Sequence, residues 1–362
     1  MGRLRIGTMV SLLVLGLLAG LAFISPAARA EGTQTFSDCP TEQTLQGYMD
    51  AGGMIQYTGS TPCTIPLTSS LMMSKEVNVE IDGGVGLTLN GGTSANHGNF
   101  MLIRISNTSP STLTLNHVTL ENGLSGIGED IGNATVNLTN STIQDMGLLD
   151  GTNAFGIDAM TATVTNSTIA RISGATNISV GIWVDTLATV TNSTIAGVSS
   201  SVAGTEVVGI WSGGDATLTS STISGVVNSG YAPLGTGIRT ADTLNLTATI
   251  LADSSGRNCA AGPGNTSVSD HGYNISANAA GNDTTCHLSG TSKQNVSDSQ
   301  LNLQPLADNG GPTETQALVA PSVAIDAIPL NGSQCAAGEQ ADQRGVARPQ
   351  GSGCDVGAYE LI

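Results

Sequence analysis

The stretch GIWVDTLATVTNSTIAGVSS, residues 181–200, is followed 28 residues on by GIWSGGDATLTSSTISGVV, residues 209–227. The chain holds two tryptophans, and both, Trp183 and Trp211, stand behind the same Gly-Ile and upstream of the same Ser-Thr-Ile. The echo extends in both directions. TVNLTNSTIQDM around Ile143, TVTNSTIARIS around Ile169 and TLNLTATILAD around Ile250 repeat it, and LTLNHVTLENG around Leu120 is a looser copy. From Leu120 to Ile250 the intervals are 23, 26, 26, 28 and 27 residues. A second register accompanies the first as Gly156-Ile157, Gly181-Ile182, Gly209-Ile210 and Gly237-Ile238. Each unit therefore carries at least two short strands of alternating pattern, separated by turns rich in Gly, Ser and Asp.

A unit of this length leaves no room for a crossover helix and reads as one coil of a parallel β-helix. Propeller blades are longer, near ~40 residues, and a sandwich needs no repeating unit. Stacking sets each strand about 4.8 Å from its counterpart one coil later, so equivalent positions become columns. Val164, Val190 and Leu218, and Ile169, Ile195 and Ile223, are expected as inward columns. Asn140, Asn166 and Asn192, continued by Ser220 and Thr247, are expected as a polar column at a turn, hydrogen-bonded along the stack.

Composition agrees. Aromatic residues are 3% and charged residues 11% of the 362, while Gly, Ser, Thr, Asn and Val dominate, which suits short strands and turns rather than helices. Residues 1–30 read as a signal peptide: Arg3 and Arg5 precede an apolar run, and Ala28-Arg29-Ala30 supplies a cleavage pattern. Its removal takes three arginines and shifts the formal charge from −17 to −20. Such a product is expected to shun nucleic acid, and no later apolar run is long enough for a membrane-spanning helix. All six cysteines follow the leader as neighbours, Cys39 with Cys63, Cys259 with Cys286 and Cys335 with Cys354, and sequential bridging is the simplest pairing. No Cys/His spacing suits a metal; His97, His117, His271 and His287 are scattered.

Residues 31–75 are expected to form an N-terminal cap and first coil, with Leu45, Tyr48 and Met49 on one side of a short amphipathic helix. Residues 76–256 carry the repeats. Residues 257–300 form a loop-rich, cysteine-bearing segment, and 301–362 a C-terminal cap. That last segment, LQPLADNGGPTETQALVAPSVAIDA followed by DQRGVARPQGSGCDVGAYE, resembles the terminal signature of bacterial exported β-helix proteins of the choice-of-anchor Q group. The matching positions include Asp308 to Thr313, Ala324 to Asp326, Asp342, Arg344, Gly345, Arg348, Pro349, Asp355, Gly357, Ala358 and Glu360. With GGMIQYTGSTPCTIPLTSSL at the front and repeats like those of polymorphic outer membrane proteins, the resemblance spans nearly the whole mature chain. It implies an all-β, right-handed parallel β-helix of the pectate-lyase-like fold, at the cell surface or outside the cell, with no reaction common to the group. Relatives carry attachment elements after this tail, whereas two residues follow Glu360 here, so a freely released or passively held product is expected. Asp342, Arg344, Arg348, Asp355 and Glu360 are expected to fold the cap through ion pairs and arginine-to-carbonyl bonds.

In Gly-Ile-Trp-Val, an alternation that sends Ile182 and Val184 inward sends Trp183 outward. The same position one coil earlier is Asp158, and one and two coils later Trp211 and Arg239. A column Asp158, Trp183, Trp211, Arg239 is thus expected on the outside, the indoles stacked, Arg239 over Trp211, and the aromatic strip offered to sugar rings. This points to a non-catalytic protein that binds polysaccharide or cell-surface glycan, or that is purely structural. The alternative is a polysaccharide lyase or glycoside hydrolase using Asp158, Asp185, Asp215 and Arg239. Acids recur near one turn as Asp130, Asp158, Asp185, Asp215 and Asp242, and grouped carboxylates serve lyases as a Ca²⁺ site. Trp183-Val184-Asp185 is similar to the Trp-Ile-Asp-His motif of pectate lyases, but Thr186 replaces the histidine, and no Gly-His-Gly of the polygalacturonase kind occurs. There is no G-x-S-x-G, P-loop or HExxH, no cofactor is expected outside the lyase reading, and nothing in the sequence sets the oligomeric state.

Overall fold

The computed structural model describes residues 32–92, 98–147, 153–174, 176–230, 235–261, 267–332, 335 and 341–362. The leader and His97 lie outside these residues. The chain winds into a parallel β-solenoid of about eight turns, with three sheets around one apolar core. Face A stacks Ala134–Thr139, residues 161–165, residues 187–191, Asp215–Thr219 and Leu244–Thr247. Face B stacks Thr142–Met146, Thr168–Ile172, Thr194–Ala196, Thr222–Ser224 and Ile250–Ala252. Face C stacks Ser125–Glu129, residues 153–159, residues 178–184, Glu206–Ser212 and Thr236–Thr240. The long strands Asn153–Thr165 and Ile178–Thr191 turn a corner and serve faces C and A in succession.

The repeat can now be read residue by residue. Val164, Val190 and Leu218 align and are fully buried, as are Ile169, Ile195 and Ile223. Between them the chain turns from face A to face B through one residue in the left-handed region, Asn140, Asn166, Asn192, Ser220 and then Ala248, with φ between 47° and 52°. Asn tolerates that conformation better than most side chains. The next residue holds the corner. The hydroxyls of Ser141, Ser167 and Ser193 donate to the carbonyl two residues back at 2.6 to 2.7 Å. The Ser167 and Ser193 hydroxyls also accept the amides of Ser141 and Ser167, one coil earlier, at 3.1 Å. These serines are buried, and their ladder satisfies turn amides that would otherwise lie unpaired.

Two expected alignments shift by one residue. Ile223 pairs with Leu251, while Ile250 lies beside Thr222, and the turn column continues into Ala248 rather than Thr247. The cause is what Ile250 packs against: it belongs to a second apolar cluster with Leu318, Ile328 and Val356, so a hydrophobic residue occupies a position that is threonine elsewhere. The glycine before each Ile has a steric cause. A Cβ on Gly156, Gly181 or Gly209 would lie 2.4 to 2.5 Å from the carbonyl oxygen of the next coil's glycine.

The helix α1, Glu42–Ala51, covers the first coil with Leu45 and Met49 buried. Its Gln46 side chain bonds both the amide and the carbonyl of Met72, at 2.7 and 2.9 Å, and Glu42 accepts the amides of Thr68 and Ser69 at 3.0 Å. Those groups sit at an edge that would otherwise template another strand. No helix among the described residues is long and apolar enough to cross a membrane. All three disulfides join the expected neighbours, Cys39–Cys63, Cys259–Cys286 and Cys335–Cys354.

The tail lies along the flank of the solenoid, where an end cap was expected. Thr168 donates to the Glu314 carbonyl at 2.6 Å, Gln343 bonds Thr194 and Thr168, and the Thr222 hydroxyl accepts the Ala358 amide at 3.1 Å. Face B is therefore strapped from outside over several coils. Within the strap, Arg344 pairs with Asp342 at 2.6 Å and Arg348 with Glu360 at 3.1 Å. Arg348 also donates to the carbonyls of Asp355 and Gly357 at 2.7 Å. The charged signature residues thus hold the strap together, in the manner expected of them.

Truncating Ile195, fully buried in the middle of the core column, to Ala is expected to cost about 2–5 kcal/mol, whereas Thr191→Ala on the outer side of face A should cost under about 1 kcal/mol. Denaturant unfolding of the two variants checks the inward and outward assignment.

Candidate functional site

On face C the outward column is in register as expected: Asp158 beside Trp183, Trp183 beside Trp211, Trp211 beside Arg239. The two half-buried indoles stack at 3.9 Å between centroids with 12° between planes. Phe155 meets Trp183 edge-on at 6.1 Å, and with Val180 and Val208 these rings form a small cluster separate from the central core. The arrangement corrects the expected aromatic strip. Rings stacked rung over rung turn their faces to each other, so the pair offers mainly its edges to a ligand. Arg239 does not lie over Trp211; its guanidinium pairs with Glu206 at 2.6 Å. A hydrogen-bonded carboxylate outcompetes a ring face as the partner of a guanidinium. Among the described residues the guanidinium placed over a ring is Arg344, 3.6 Å from the Tyr359 centroid.

The recurring acids separate into different environments. Asp130 is held by Arg104 at 3.0 Å. Asp215 is exposed, stands beside Leu187 and accepts the Thr243 amide at 2.9 Å. Asp158 and Asp185 remain together, and Glu129 joins them. A Cβ on Gly132 would stand 3.1 Å from Asp185 Oδ2 and 3.9 Å from Glu129 Oε1, so both carboxylates flank one point. Glu129 accepts the amides of Asn133 and Ala134 at 3.0 and 2.6 Å. Burial pushes the Asp158 carboxyl up to about 7, and the charges of Glu129 and Asp185 add to the shift. Burial also raises Glu129, against its two amide bonds and with the help of Asp185. Of the four residues expected for catalysis, Asp158 and Asp185 come together, while Asp215 accepts the Thr243 amide and Arg239 pairs with Glu206. Glu129 escaped the sequence reading, although Gly126-Ile127 is an earlier copy of the Gly-Ile register and leads directly to it.

Chemically the site offers three carboxylates beside an aromatic edge. At neutral pH Asp158 is about half protonated, so it can donate as well as accept hydrogen bonds. Among the described residues no group of three His, Cys, Asp or Glu side chains is arranged to hold a metal ion. His117 lies 3.7 Å from Asp82, in a different part of the fold.

Asp158 binds its proton more tightly folded, near 7, than at its ordinary value of 3.8. Its contribution to stability is present at low pH and is lost as pH rises through about 7. Asp158→Asn should therefore melt above the parent near roughly pH 8 and with it near roughly pH 4; thermal melts across that range check the sign. No family model matches the chain, and neither the curated proteins nor the solved structures contain a match.

Proposed function

We propose that the protein is an exported, non-catalytic β-helix that holds a glycan against the outside of face C. The observation that carries this reading is the outward column of Asp158, Trp183 and Trp211 with Glu129 and Asp185 at its side. Carboxylates accept hydrogen bonds from sugar hydroxyls, and the partly exposed indole edges of Trp183 and Trp211 supply an apolar flank beside them. Three neighbouring acids favour a neutral or cationic sugar over a polyuronate, in keeping with a chain of formal charge −17. Export is supported by the leader pattern over residues 1–30 and by the three disulfides. The tail residues that resemble the choice-of-anchor Q group, folded into a lateral strap, support a place among those surface proteins.

One observation favours a second reading. A carboxyl that titrates near 7 beside an acid of ordinary exposure is the pairing that glycosidases use as general acid and base. Under that reading Asp158 is the proton donor and Asp185 its partner.

Binding to a panel of plant, bacterial and host glycans, with product analysis in parallel, separates the two. Retention without new reducing ends supports binding; hydrolysis abolished by Asp158→Asn supports the enzyme. Trp183→Ala combined with Trp211→Ala should weaken the glycan at least about tenfold, equal to about 1.4 kcal/mol. Because the rings pack outside the central core, the double variant should still unfold cooperatively. Unchanged affinity in a folded double variant, together with unchanged affinity in Asp185→Asn, would remove the face C site.

A further inference from the structure

Face A carries a different surface. Its outward positions form a grid in which Thr163, Thr189 and Thr217 make one column and Thr165, Thr191 and Thr219 the next. These coils pair one residue to one residue through residues 161–165, 187–191 and 215–219, with no bulge inside the grid. Asn137 and Thr139 extend it on one side, Asn245 and Thr247 on the other. Successive hydroxyls are about 4.8 Å apart along the stack and roughly 6.6 Å apart along each strand. Alternate residues Ala162, Val164, Ala188, Val190, Ala216 and Leu218 point into the core, so the grid rests on a rigid base.

Its chemistry sets it apart from the rest of the molecule. The chain is strongly acidic at −17, yet no charged residue stands in these two columns from Asn137 and Thr139 to Asn245 and Thr247. Face C, by contrast, carries Glu129, Asp158, Glu206 and Arg239, with Arg104 on the rung before and Asp185 at its corner with face A. The strap runs along face B, and the grid threonines stay partly exposed. Threonine is a natural outward residue for a strand, which accounts for its presence in general. It does not by itself account for two adjacent columns free of charge over several coils, beside a third outward column, Thr161, Leu187 and Asp215, that ends in a carboxylate.

We propose that the two threonine columns of face A form an ice-binding surface. Its occupant is the ordered water of an ice crystal, an uncharged lattice whose oxygen repeats on one crystal face are close to the spacing of this grid. Each threonine presents a hydroxyl that joins the lattice and a methyl that fills the gap between rows. A charged side chain would instead keep a disordered hydration shell and hold the lattice off. Flat multi-stranded sheets are unusual without side-chain ladders, and the Thr and Asn columns are such ladders; the Asn245 side-chain amide donates to the Thr217 hydroxyl at 3.4 Å. This surface is independent of the glycan site, since it lies on another face and shares none of its residues.

The test is microscopy of single ice crystals and of recrystallisation in frozen solution, with the full disulfide-bonded protein. The parent chain should shape crystals, open a gap between melting and freezing, and slow coarsening. Thr189→Tyr combined with Thr217→Tyr should cut that activity by at least about tenfold, because a protruding ring breaks a contact that depends on close fit. Thr191→Lys, a smaller change that introduces charge, should do the same and is measured alongside in case the double variant folds poorly. Asp242→Asn, exposed and off the grid, should leave it unchanged. A parent protein that leaves ice growth as an inert protein of equal concentration does would overturn the proposal. So would full activity in a folded Tyr or Lys variant, or retention on powdered crystalline polysaccharide through these threonines with no effect on ice.

Discussion

Everything in this molecule depends on register between coils. Each strand bonds its copy in the preceding and following turn, and a slip of one residue would turn the core outward and the polar face inward. The hydrophobic columns favour the correct register, and the corners enforce it. One residue with positive φ and one buried serine whose hydroxyl is shared between coils leave little freedom in where face A ends and face B begins. The motif Thr-Asn-Ser-Thr-Ile is thus a compact instruction: outward, left-handed turn, vertical hydrogen bond, strap contact, core.

Register places like beside like, and the outcome depends on the residue type. Two tryptophans become a stack at 3.9 Å, a favourable pairing in which each covers the other. An acid in that column holds its proton, chiefly because burial disfavours its charge and then because Glu129 and Asp185 lie near, as Asp158 does. Threonines in two adjacent columns form an even, uncharged strip of hydroxyls and methyls. Three faces of the same solenoid therefore have three chemistries, one flank occupied by the protein's own tail and two turned outward.

The sequence disclosed most of the architecture because the repeat is a one-dimensional record of the stack. Val164, Val190 and Leu218, the Ile column and the column from Asp158 to Arg239 all fall where periodicity puts them, and cysteine neighbours pair. What escaped depends on contacts between segments distant in the chain. Ile250 mimics the landmark isoleucine because the tail packs on it, which shifts the apparent repeat by one. Arg239 turns to Glu206, a choice no spacing reveals. Glu129 lies at the end of a coil whose match to the repeat is weak, so only three-dimensional proximity ties it to Asp185.

The lateral tail alters how such a molecule comes apart and comes together. A bare solenoid is a row of nearest neighbours and frays from its ends. Here Thr313, Glu314, Gln343 and Ala358 fasten coils containing Thr168, Thr194 and Thr222 to one another through a segment synthesised after all of them. Synthesis delivers the chain from its N-terminus, so the coils of Thr168, Thr194 and Thr222 are made before the segment that fastens them. The tail acts as a keystone, binding into one body coils that would otherwise fail singly.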